Sequence, residues 1–268
     1  MGEVSEQTTS ADLSAAQRRA RISEMLVERE TVTVRELVEL FGVSNMTAHR
    51  DLDALSERGV LRKVRGGATA QPTALYESSL GYRLGENAEA KKQIAAVAAG
   101  LVQAGSSILL DDSTTALAMV PHLTEIPELT VVTTFVSVIE ALAEYADGEL
   151  HLIGIGGTYD PKYHAFGGVL AEEALRSLRV DQCFSANLVD LARGAFHREA
   201  EQAAVKRTML EVSGESILLA DASKFAKRGM HRITGLDGFD KAVVDADTDE
   251  ETRAALQAAG PEVLVAGR

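Results

Sequence analysis

Residues 34–68 read VRELVELFGVSNMTAHRDLDALSERGVLRKVRGGA and predict two helices, a tight turn between them and a basic hairpin after them. Thr33, directly before this stretch, and Glu36 have the spacing of a capping box, which starts a helix. Gly42 supplies the permissive backbone that a sharp turn needs. Four apolar residues share one face of the first helix: Val34, Leu37, Val38 and Phe41. This order of elements is typical of a winged helix-turn-helix, so double-stranded DNA is the first partner to consider.

The second helix is predicted to begin after Ser44, whose side chain can cap it. We expect Met46, Leu52 and Leu55 to face inward. The other face carries hydrogen-bonding side chains at the end that enters the major groove in this motif. The candidate base-contacting residues are Asn45, Thr47, Ala48, His49 and Arg50.

After Gly59 the sequence alternates as a strand does, and positive charge concentrates in a short hairpin closed by Gly66 and Gly67. Phosphate contact is the natural use of such a cluster. The alternative is a small helical packing module whose arginines are only solvated, but the capped helices, the glycine turn and the basic hairpin in register favour DNA binding. The remaining DNA-binding candidates are Arg35, Ser44, Arg62, Lys63 and Arg65.

The charge of the chain is unevenly distributed. The net charge is −13, and acidic proteins do not usually adhere to nucleic acid. Residues 1–70, however, carry ten Lys and Arg against eleven Asp and Glu, which leaves 17 against 29 for the remainder. The N-terminal part is therefore nearly neutral with a basic edge, and the acidity behind it would disfavour indiscriminate DNA binding.

The length of 268 residues suits about two domains. We predict a winged helix-turn-helix domain at 14–70, a linker at 71–90 and an effector-sensing domain at 91–268. In the last range helical stretches alternate with short apolar runs, which indicates an α/β fold with a mainly parallel sheet. A first helix is predicted to start near Ser14, with three arginines that either contact the DNA backbone or face solvent: Arg18, Arg19 and Arg21.

Several other classes of protein find little support. Cys183 sits in an apolar run, and its simplest interpretation is a small buried hydrophobe in a reducing compartment. No apolar run approaches the ~20 residues that span a bilayer, and the polar start lacks a signal-peptide pattern, so we expect a cytoplasmic protein without membrane contact. The histidines lack metal-ligand spacing and the glycines at 154–157 lack the dinucleotide fingerprint, so we predict no metal and no cofactor.

Ligands of parallel α/β sheets bind beyond the carboxyl ends of the strands, so the segments after the apolar runs form the candidate site. Carboxylates and hydroxyls follow the run SSILL. A threonine, two glycines and Lys224 follow other apolar runs, and Lys206 lies within AAVKRTM. Singly, such residues cap helices, make turns or face solvent, but their joint placement suits a small phosphorylated ligand. The candidate effector-binding residues are Asp111, Asp112, Ser113, Thr114, Thr115, Thr134, Gly156, Gly157, Lys206 and Lys224.

From about Ser14 to Asp247 the chain resembles the DeoR family of bacterial transcriptional regulators. The resemblance rests on VTVRELVELFGVSNMTAHRDLDALSERGVLRKVRGGA and then, in order, on LLDDSTT, VVTT, GIGG, AAVKRTM and LLADASKF. It implies a sugar-phosphate-sensing domain related in fold to ribose phosphate isomerases. It also implies a homo-oligomer that usually represses carbohydrate genes until its effector arrives. The resemblance assigns effector binding to Thr114, Thr115, Lys206 and Lys224.

Departures from the family pattern lie in the effector half. Asp112 and Ser113 stand where the family has a small residue and a glycine, and a carboxylate there would repel a phosphate dianion unless it is turned away. Ser185 and Leu188 replace expected glycines and fill space. Gln202 stands where a glutamate is common.

The rival hypothesis is a sugar-phosphate isomerase that carries a DNA-binding module. Isomerisation through an enediol needs a general base, typically a carboxylate near the substrate carbon. The amide of Gln202, at the position where we would expect the base, cannot take the proton. We therefore expect a regulator and not an enzyme, although four carboxylates are available in principle: Asp111, Asp112, Glu201 and Asp221.

Overall fold

The computed structural model describes residues 13–29, 31–57, 60–70, 80–146 and 148–267, which form two compact units, Met1–Glu86 and Asn87–Arg268. The boundary falls inside the predicted linker at 71–90. Residues 71–79 of that linker lie outside the described residues, and the rest of it is largely helical, with one helix in each unit.

The first unit combines helices with a small antiparallel sheet. Its helices are α1 (Ala15–Arg29), α2 (Val34–Phe41), α3 (Asn45–Glu57) and α4 (Leu80–Gly85), and its strands are β1 (Thr31–Thr33), β2 (Leu61–Val64) and β3 (Gly67–Ala70). The strand order is β1–β3–β2, so the hairpin of β2 and β3 forms the wing. The predicted winged helix-turn-helix is confirmed.

Local hydrogen bonds explain where the helices start and stop. Thr33 Oγ1 accepts from the backbone N–H of Glu36, and the Glu36 carboxylate accepts from the backbone N–H of Thr33, which completes the predicted capping box. Gly42 ends α2 in the left-handed region, with φ of 63°. Ser44 Oγ accepts from the backbone N–H of Thr47 at 3.1 Å and caps α3 as expected.

The helical phase of α3 differs from the prediction at two positions. Met46, expected to face inward, is 67% exposed, whereas Ala48, expected to face outward, is 1% exposed. Leu52 and Leu55 are fully buried, and together with Ala48 they follow the four- and three-residue spacing of one helical face. Met46 lies about 200° around the helix from Ala48, at ~100° per residue, and so points away from the core.

The structure ties α1 to α3 by a buried ion pair. Arg18 Nε lies 2.5 Å from Asp51 Oδ2, and the two side chains are 11% and 6% exposed. Arg19 Nε lies 3.9 Å from the other carboxylate oxygen of Asp51. Arg18 is thus not a solvated side chain, one of the two alternatives considered for it, because it compensates a carboxylate inside the domain.

The two glycines of the wing have different roles. The hairpin turns at Arg65 and Gly66, and Gly66 has φ of 82°, which favours glycine. At Gly67 a Cβ would lie 2.1 Å from the carbonyl oxygen of Val32 on the neighbouring strand. Any larger residue would therefore push β3 away from β1.

The second unit contains a parallel sheet between helices. Its strands are β4 (Ser107–Leu110), β5 (Thr130–Thr133), β6 (His151–Gly154), β7 (Thr158–Asp160), β8 (Ala165–Gly167), β9 (Val180–Ala186), β10 (Leu188–Asp190), β11 (Gly194–His197), β12 (Ser213–Ala220), β13 (His231–Thr234), β14 (Lys241–Val244) and β15 (Glu262–Val265). Its helices are α5 (Ala88–Ala99), α6 (Thr114–Leu117), α7 (Val120–Leu123), α8 (Val136–Leu142), α9 (Gly168–Arg176), α10 (Ala200–Glu211), α11 (Ser223–Ala226) and α12 (Glu250–Ala258), with 3-10 turns at Ala143–Tyr145 and Leu236–Gly238.

Seven strands form one parallel sheet in the order β15–β14–β12–β9–β4–β5–β6. Two small antiparallel sheets accompany it, one of β7 and β8 and one of β10, β11 and β13. The predicted α/β fold with a mainly parallel sheet is confirmed. Cys183 on β9 is fully buried among apolar side chains, as expected, and burial raises the pKa of its thiol.

None of the helices in the described ranges is long and apolar enough to span a bilayer.

Removing the arginine of the buried pair should destabilise the first unit. With Arg18→Gln, the Asp51 carboxylate stays buried with only the distant Arg19 beside it, which should cost about 2–4 kcal/mol of unfolding free energy. Hydrogen exchange of the α1 and α3 amides in the full chain measures this cost. Arg35→Gln is the control, because it breaks an exposed pair with Glu39 and should leave exchange unchanged. If the α1 and α3 amides are equally protected from exchange in Arg18→Gln and Arg35→Gln, a structural role for Arg18 is contradicted.

Candidate functional site

The DNA-binding candidates of α3 lie at its N-terminal end. Thr47 is half-buried, and its hydroxyl lies 2.9 Å from Ser44 Oγ, so these two side chains bond each other. The exposed side chains at this end, which share the solvent face of the helix, are Asn45, Met46, His49 and Arg50. The prediction missed Met46, although the spacing of the buried leucines later in the helix carried the signal.

The basic candidates differ in how their charge is compensated. Lys63 Nζ on the wing lies 2.5 Å from Asp53 Oδ1 on α3, and both side chains are substantially exposed. Arg35 Nε lies 2.8 Å from Glu39 Oε1, and this hydrogen bond raises the pKa of Arg35. Arg62 and Arg65 are exposed on the wing. The charges of Arg35 and Lys63 are therefore compensated within the chain.

The effector candidates gather at the carboxyl edge of the parallel sheet. Asp111–Thr115 follow β4, Thr134 follows β5, Gly156 and Gly157 follow β6, Lys224 follows β12, and Lys206 comes from α10. From β4 the chain adds β5 and β6 on one side and then returns to β9 on the other. The topological switch point therefore lies between β4 and β9, where open α/β sheets bind their ligands.

Asp111 occupies this switch point and is completely buried. Its Oδ1 accepts from the backbone N–H of Ser113 at 3.0 Å. Its Oδ2 accepts from the Ser185 hydroxyl at 2.9 Å, from the backbone N–H of Ala186 at 2.8 Å and from the ammonium group of Lys206. The carboxylate thus links the ends of β4 and β9 to α10.

Lys206 is 2% exposed and has its donors committed within the protein. Besides Asp111, its ammonium contacts Asp112 Oδ1 at 2.9 Å and the carbonyl oxygen of Ala186 at 3.2 Å. These contacts match the three donors of a lysine. The cluster of Asp111, Asp112 and Lys206 has a formal net charge of −1, and its lysine pairs with carboxylates of the chain itself.

Burial alone would lower the pKa of Lys206, but the two carboxylates outweigh burial and raise it. A raised lysine pKa stabilises the fold below the unfolded value of about 10.4, and that stabilisation is lost as pH rises through the folded value. The ammonium form of Lys206 is therefore maintained through the neutral range.

A short chain of hydrogen bonds at the switch point ends in acceptor oxygens that the described part of the protein does not itself use. The Ser185 hydroxyl donates to Asp111 and accepts from Asn187 Nδ2 at 3.0 Å, which fixes the orientation of the Asn187 amide. Within the described ranges, Asn187 Oδ1 and Thr134 Oγ1 are buried without a hydrogen-bond partner. Such buried oxygens are uncommon and suit a ligand that donates hydrogen bonds, as hydroxyl groups do. Sequence reasoning missed Asn187 and treated Ser185 as filling space.

A second polar cluster follows β12. Asp221 is 1% exposed and accepts from Asn87 Nδ2 at 2.9 Å and from the hydroxyl and backbone N–H of Ser223. Lys224 Nζ lies 3.9 Å from Asp221 Oδ2. Burial would raise the pKa of Asp221, but Lys224, Ser223 and the buried Lys91 together lower it. The sequence interpretation named Lys224 here but not Asn87 or Lys91.

Some effector candidates have clear structural roles. Ser113 Oγ accepts from the backbone N–H of Ala116 and caps α6. Gly157 has φ of 155°, and a Cβ there would lie 2.4 Å from the carbonyl oxygen of Gly167, so this glycine permits the approach of β8. A Cβ at Gly156 would meet no atom within 4 Å. Among the residues that the structure describes, no group of three His, Cys, Asp or Glu could hold a metal ion.

A winged helix-turn-helix followed along the chain by an α/β unit with polar strand ends is typical of a DNA-binding regulator with a sensor domain. Comparison with protein families gives the same assignment. Residues 18–73 match the DeoR-like helix-turn-helix domain, and residues 86–246, more than half of the chain, match the DeoR C terminal sensor domain. The chain belongs to the DeoR family of transcriptional regulators.

Individual proteins resemble the chain over most of its length. The transcriptional repressor AccR of Agrobacterium fabrum is 32% identical, with 88% of this chain and 91% of AccR covered. The transcriptional repressor GlcR of Bacillus subtilis is 28% identical, with 93% and 95% covered. Ribose 5-phosphate isomerase from Methanocaldococcus jannaschii aligns with 52% of this chain and 55% of its own, at 16% identity and a TM-score of 0.35, too low to support a functional conclusion.

Removing the buried ammonium should destabilise the second unit. Lys206→Met leaves two carboxylates in the core without their cation, which should cost about 3–5 kcal/mol of unfolding free energy. Asp112→Asn should cost far less, because Lys206 keeps its contact with Asp111. Urea unfolding of the full chain, followed by exchange of the β4 and β9 amides, compares the two variants. If Asp112→Asn proved as damaging as Lys206→Met, the assignment of Asp111 as the main partner of Lys206 would be wrong.

Proposed function

We propose that the protein is a repressor of carbohydrate-metabolism genes whose affinity for its operator falls when a small phosphorylated sugar binds the C-terminal unit. The observation that carries this proposal is the polar switch point between β4 and β9, with two buried oxygens that lack partners, in a chain that also carries a helix-turn-helix. The similarity to AccR and GlcR, both named as transcriptional repressors, supports the direction of regulation.

The N-terminal unit supplies sequence recognition through α3 and affinity through the wing. Arg50 suits bidentate contact with guanine, and Asn45 suits adenine. Arg62 and Arg65 suit the phosphates on either side, which position the helix without distinguishing sequences. Lys63 contributes less than its charge suggests, because Asp53 already compensates it.

Substitutions should separate these two roles. Arg50→Ala should cost about 1–3 kcal/mol on the preferred sequence and little on random DNA. Arg62→Ala should weaken binding to the preferred sequence and to random DNA to the same extent. It should also reduce by about 1 the slope of log affinity against log salt concentration. Fluorescence anisotropy with the upstream region of the protein's own gene and with a random duplex, over a salt series, provides both numbers. Equal losses on both duplexes for Arg50→Ala would rule out base recognition by this residue.

Met46 should add an apolar contact to recognition. Its exposed side chain beside Asn45 and His49 suits the C5-methyl group of thymine. Replacing the thymines of the operator by uracil removes this methyl group and keeps base pairing, so it should weaken binding of the unchanged protein. The same replacement should have little effect on Met46→Ala. If Met46→Ala responds to uracil as strongly as the unchanged protein does, the contact is made elsewhere.

The C-terminal unit controls DNA binding by a two-state mechanism, in which the sensor sets the spacing or order of two or more DNA modules in a homo-oligomer. A ligand shifts this equilibrium only by its differential affinity for the two states. A compound that binds tightly without altering operator affinity is therefore not the effector.

Operator binding, titrated with a panel of sugar phosphates at fixed salt, tests effector control. We expect one phosphorylated member to release the operator and its unphosphorylated sugar to act only at much higher concentration. Release by the free sugar at the same concentration would show that the phosphate is not recognised. If no member of the panel changes operator binding, the proposal that a sugar phosphate is the effector is contradicted.

The structure also bears on the isomerase alternative. Asp111 accepts four hydrogen bonds from the chain, so it would have to leave them before it could take a substrate proton. We expect no turnover of pentose or hexose phosphates. A rate that Asp111→Asn abolishes would overturn the non-enzymatic assignment.

A further inference from the structure

The second unit contains a cavity of about 660 Å³. One wall is the hairpin of β10 and β11, and the other is the end of α11 with the segment that follows it. The residues that line it are 188–193, Phe196 and 225–229. Its volume lies within the range of roughly 300–1,000 Å³ that is usual for small-molecule sites.

Positive charge dominates the lining of this cavity. Its charged lining residues are Arg193, Lys227 and Arg228 against Asp190, and the two arginines alone outnumber this carboxylate. The carboxylate already accepts from the backbone N–H of Ala192 at 3.0 Å. The surplus of positive charge is unusual here, because residues 71–268 carry 17 Lys and Arg against 29 Asp and Glu. A cationic cavity in an acidic domain concentrates anions locally.

Apolar side chains complete the lining. Phe196 and Phe225 lie on the two walls, and Leu188 and Val189 lie beside them. Binding sites for small metabolites combine such surfaces with a few charged groups that fix orientation. The lining therefore suits a ligand that has both an anionic group and a carbon skeleton.

The switch-point cluster does not offer an equivalent place for an anion. The three donors of Lys206 are committed to Asp111, Asp112 and Ala186, and the cluster has a net charge of −1. The cavity follows this cluster directly along the chain, because its first lining residue, Leu188, is next to Asn187.

We propose that this cavity is the anion subsite of the effector and that Arg193 and Arg228 bind its phosphomonoester. Guanidinium groups present paired donors that match phosphate oxygens. The proposal rests on the proposed function only in taking the effector to be phosphorylated. Operator binding without effector does not depend on it.

The test measures binding of inorganic phosphate and of the sugar-phosphate panel to the full chain by calorimetry. Arg193→Gln and Arg228→Gln should each weaken binding tenfold or more, and each should raise by the same factor the effector concentration that releases the operator. Arg179→Gln is the matched control, because it removes one exposed arginine that precedes β9 at the opposite edge of the sheet. Normal operator affinity without effector will show that the variants are folded.

Two outcomes would overturn the proposal and are distinguishable. If Lys224→Gln abolishes phosphate binding while Arg193→Gln and Arg228→Gln bind normally, the anion is held at the end of β12, and the proposed function survives. If neither phosphate nor any sugar phosphate binds the unchanged protein, the anion subsite and the phosphorylated effector both fail. Operator binding then stands as a separate result.

Discussion

The buried contact between Asp111 and Lys206 is the constraint on which the sensor unit depends. It joins the end of β4 to α10, and the same carboxylate accepts from Ser185 and Ala186 at the end of β9. Moving either charge from water into the core costs several kcal/mol, so neither group is stable there without the other. This contact therefore fixes the ends of β4 and β9 relative to each other. It also positions the side chains at the switch point between them.

Asp112 changes what this constraint allows. With one carboxylate, the cluster would be neutral and its ammonium would keep a donor for a ligand. With two, the cluster is negative and the donors of Lys206 are all used within the chain. We expected the Asp112 carboxylate to repel phosphate unless it is turned away. Its ion pair with Lys206 buries it, so it does not face solvent. The phosphate of the proposed effector would then need cations elsewhere in the unit, while the buried oxygens of Asn187 and Thr134 suit hydroxyl groups.

The sequence predicted those features whose interactions are local. The capping box of Thr33 and Glu36 and the turn at Gly42 span at most a few residues, so spacing alone reveals them. The orientation of Met46 was misjudged because both Met46 and Ala48 are compatible with a buried face, and only register with Leu52 and Leu55 decides between them. Three pairs join residues too far apart for any spacing rule to connect, and so they appear only in the folded chain: Arg18 with Asp51, Lys63 with Asp53, and Lys206 with Asp112.

The charge distribution of the N-terminal unit is consistent with the proposed control of DNA binding by the sensor unit. The unit is nearly neutral, and two of its basic candidates, Arg35 and Lys63, are compensated by Glu39 and Asp53. A single module therefore gains little of the non-specific phosphate attraction that supplies most affinity in basic DNA-binding domains. In the proposed homo-oligomer, two modules that engage neighbouring half-sites together would multiply their affinities, but only if their spacing matches that of the half-sites. A sensor that alters spacing by a small amount can for this reason change operator affinity by a large factor without touching DNA.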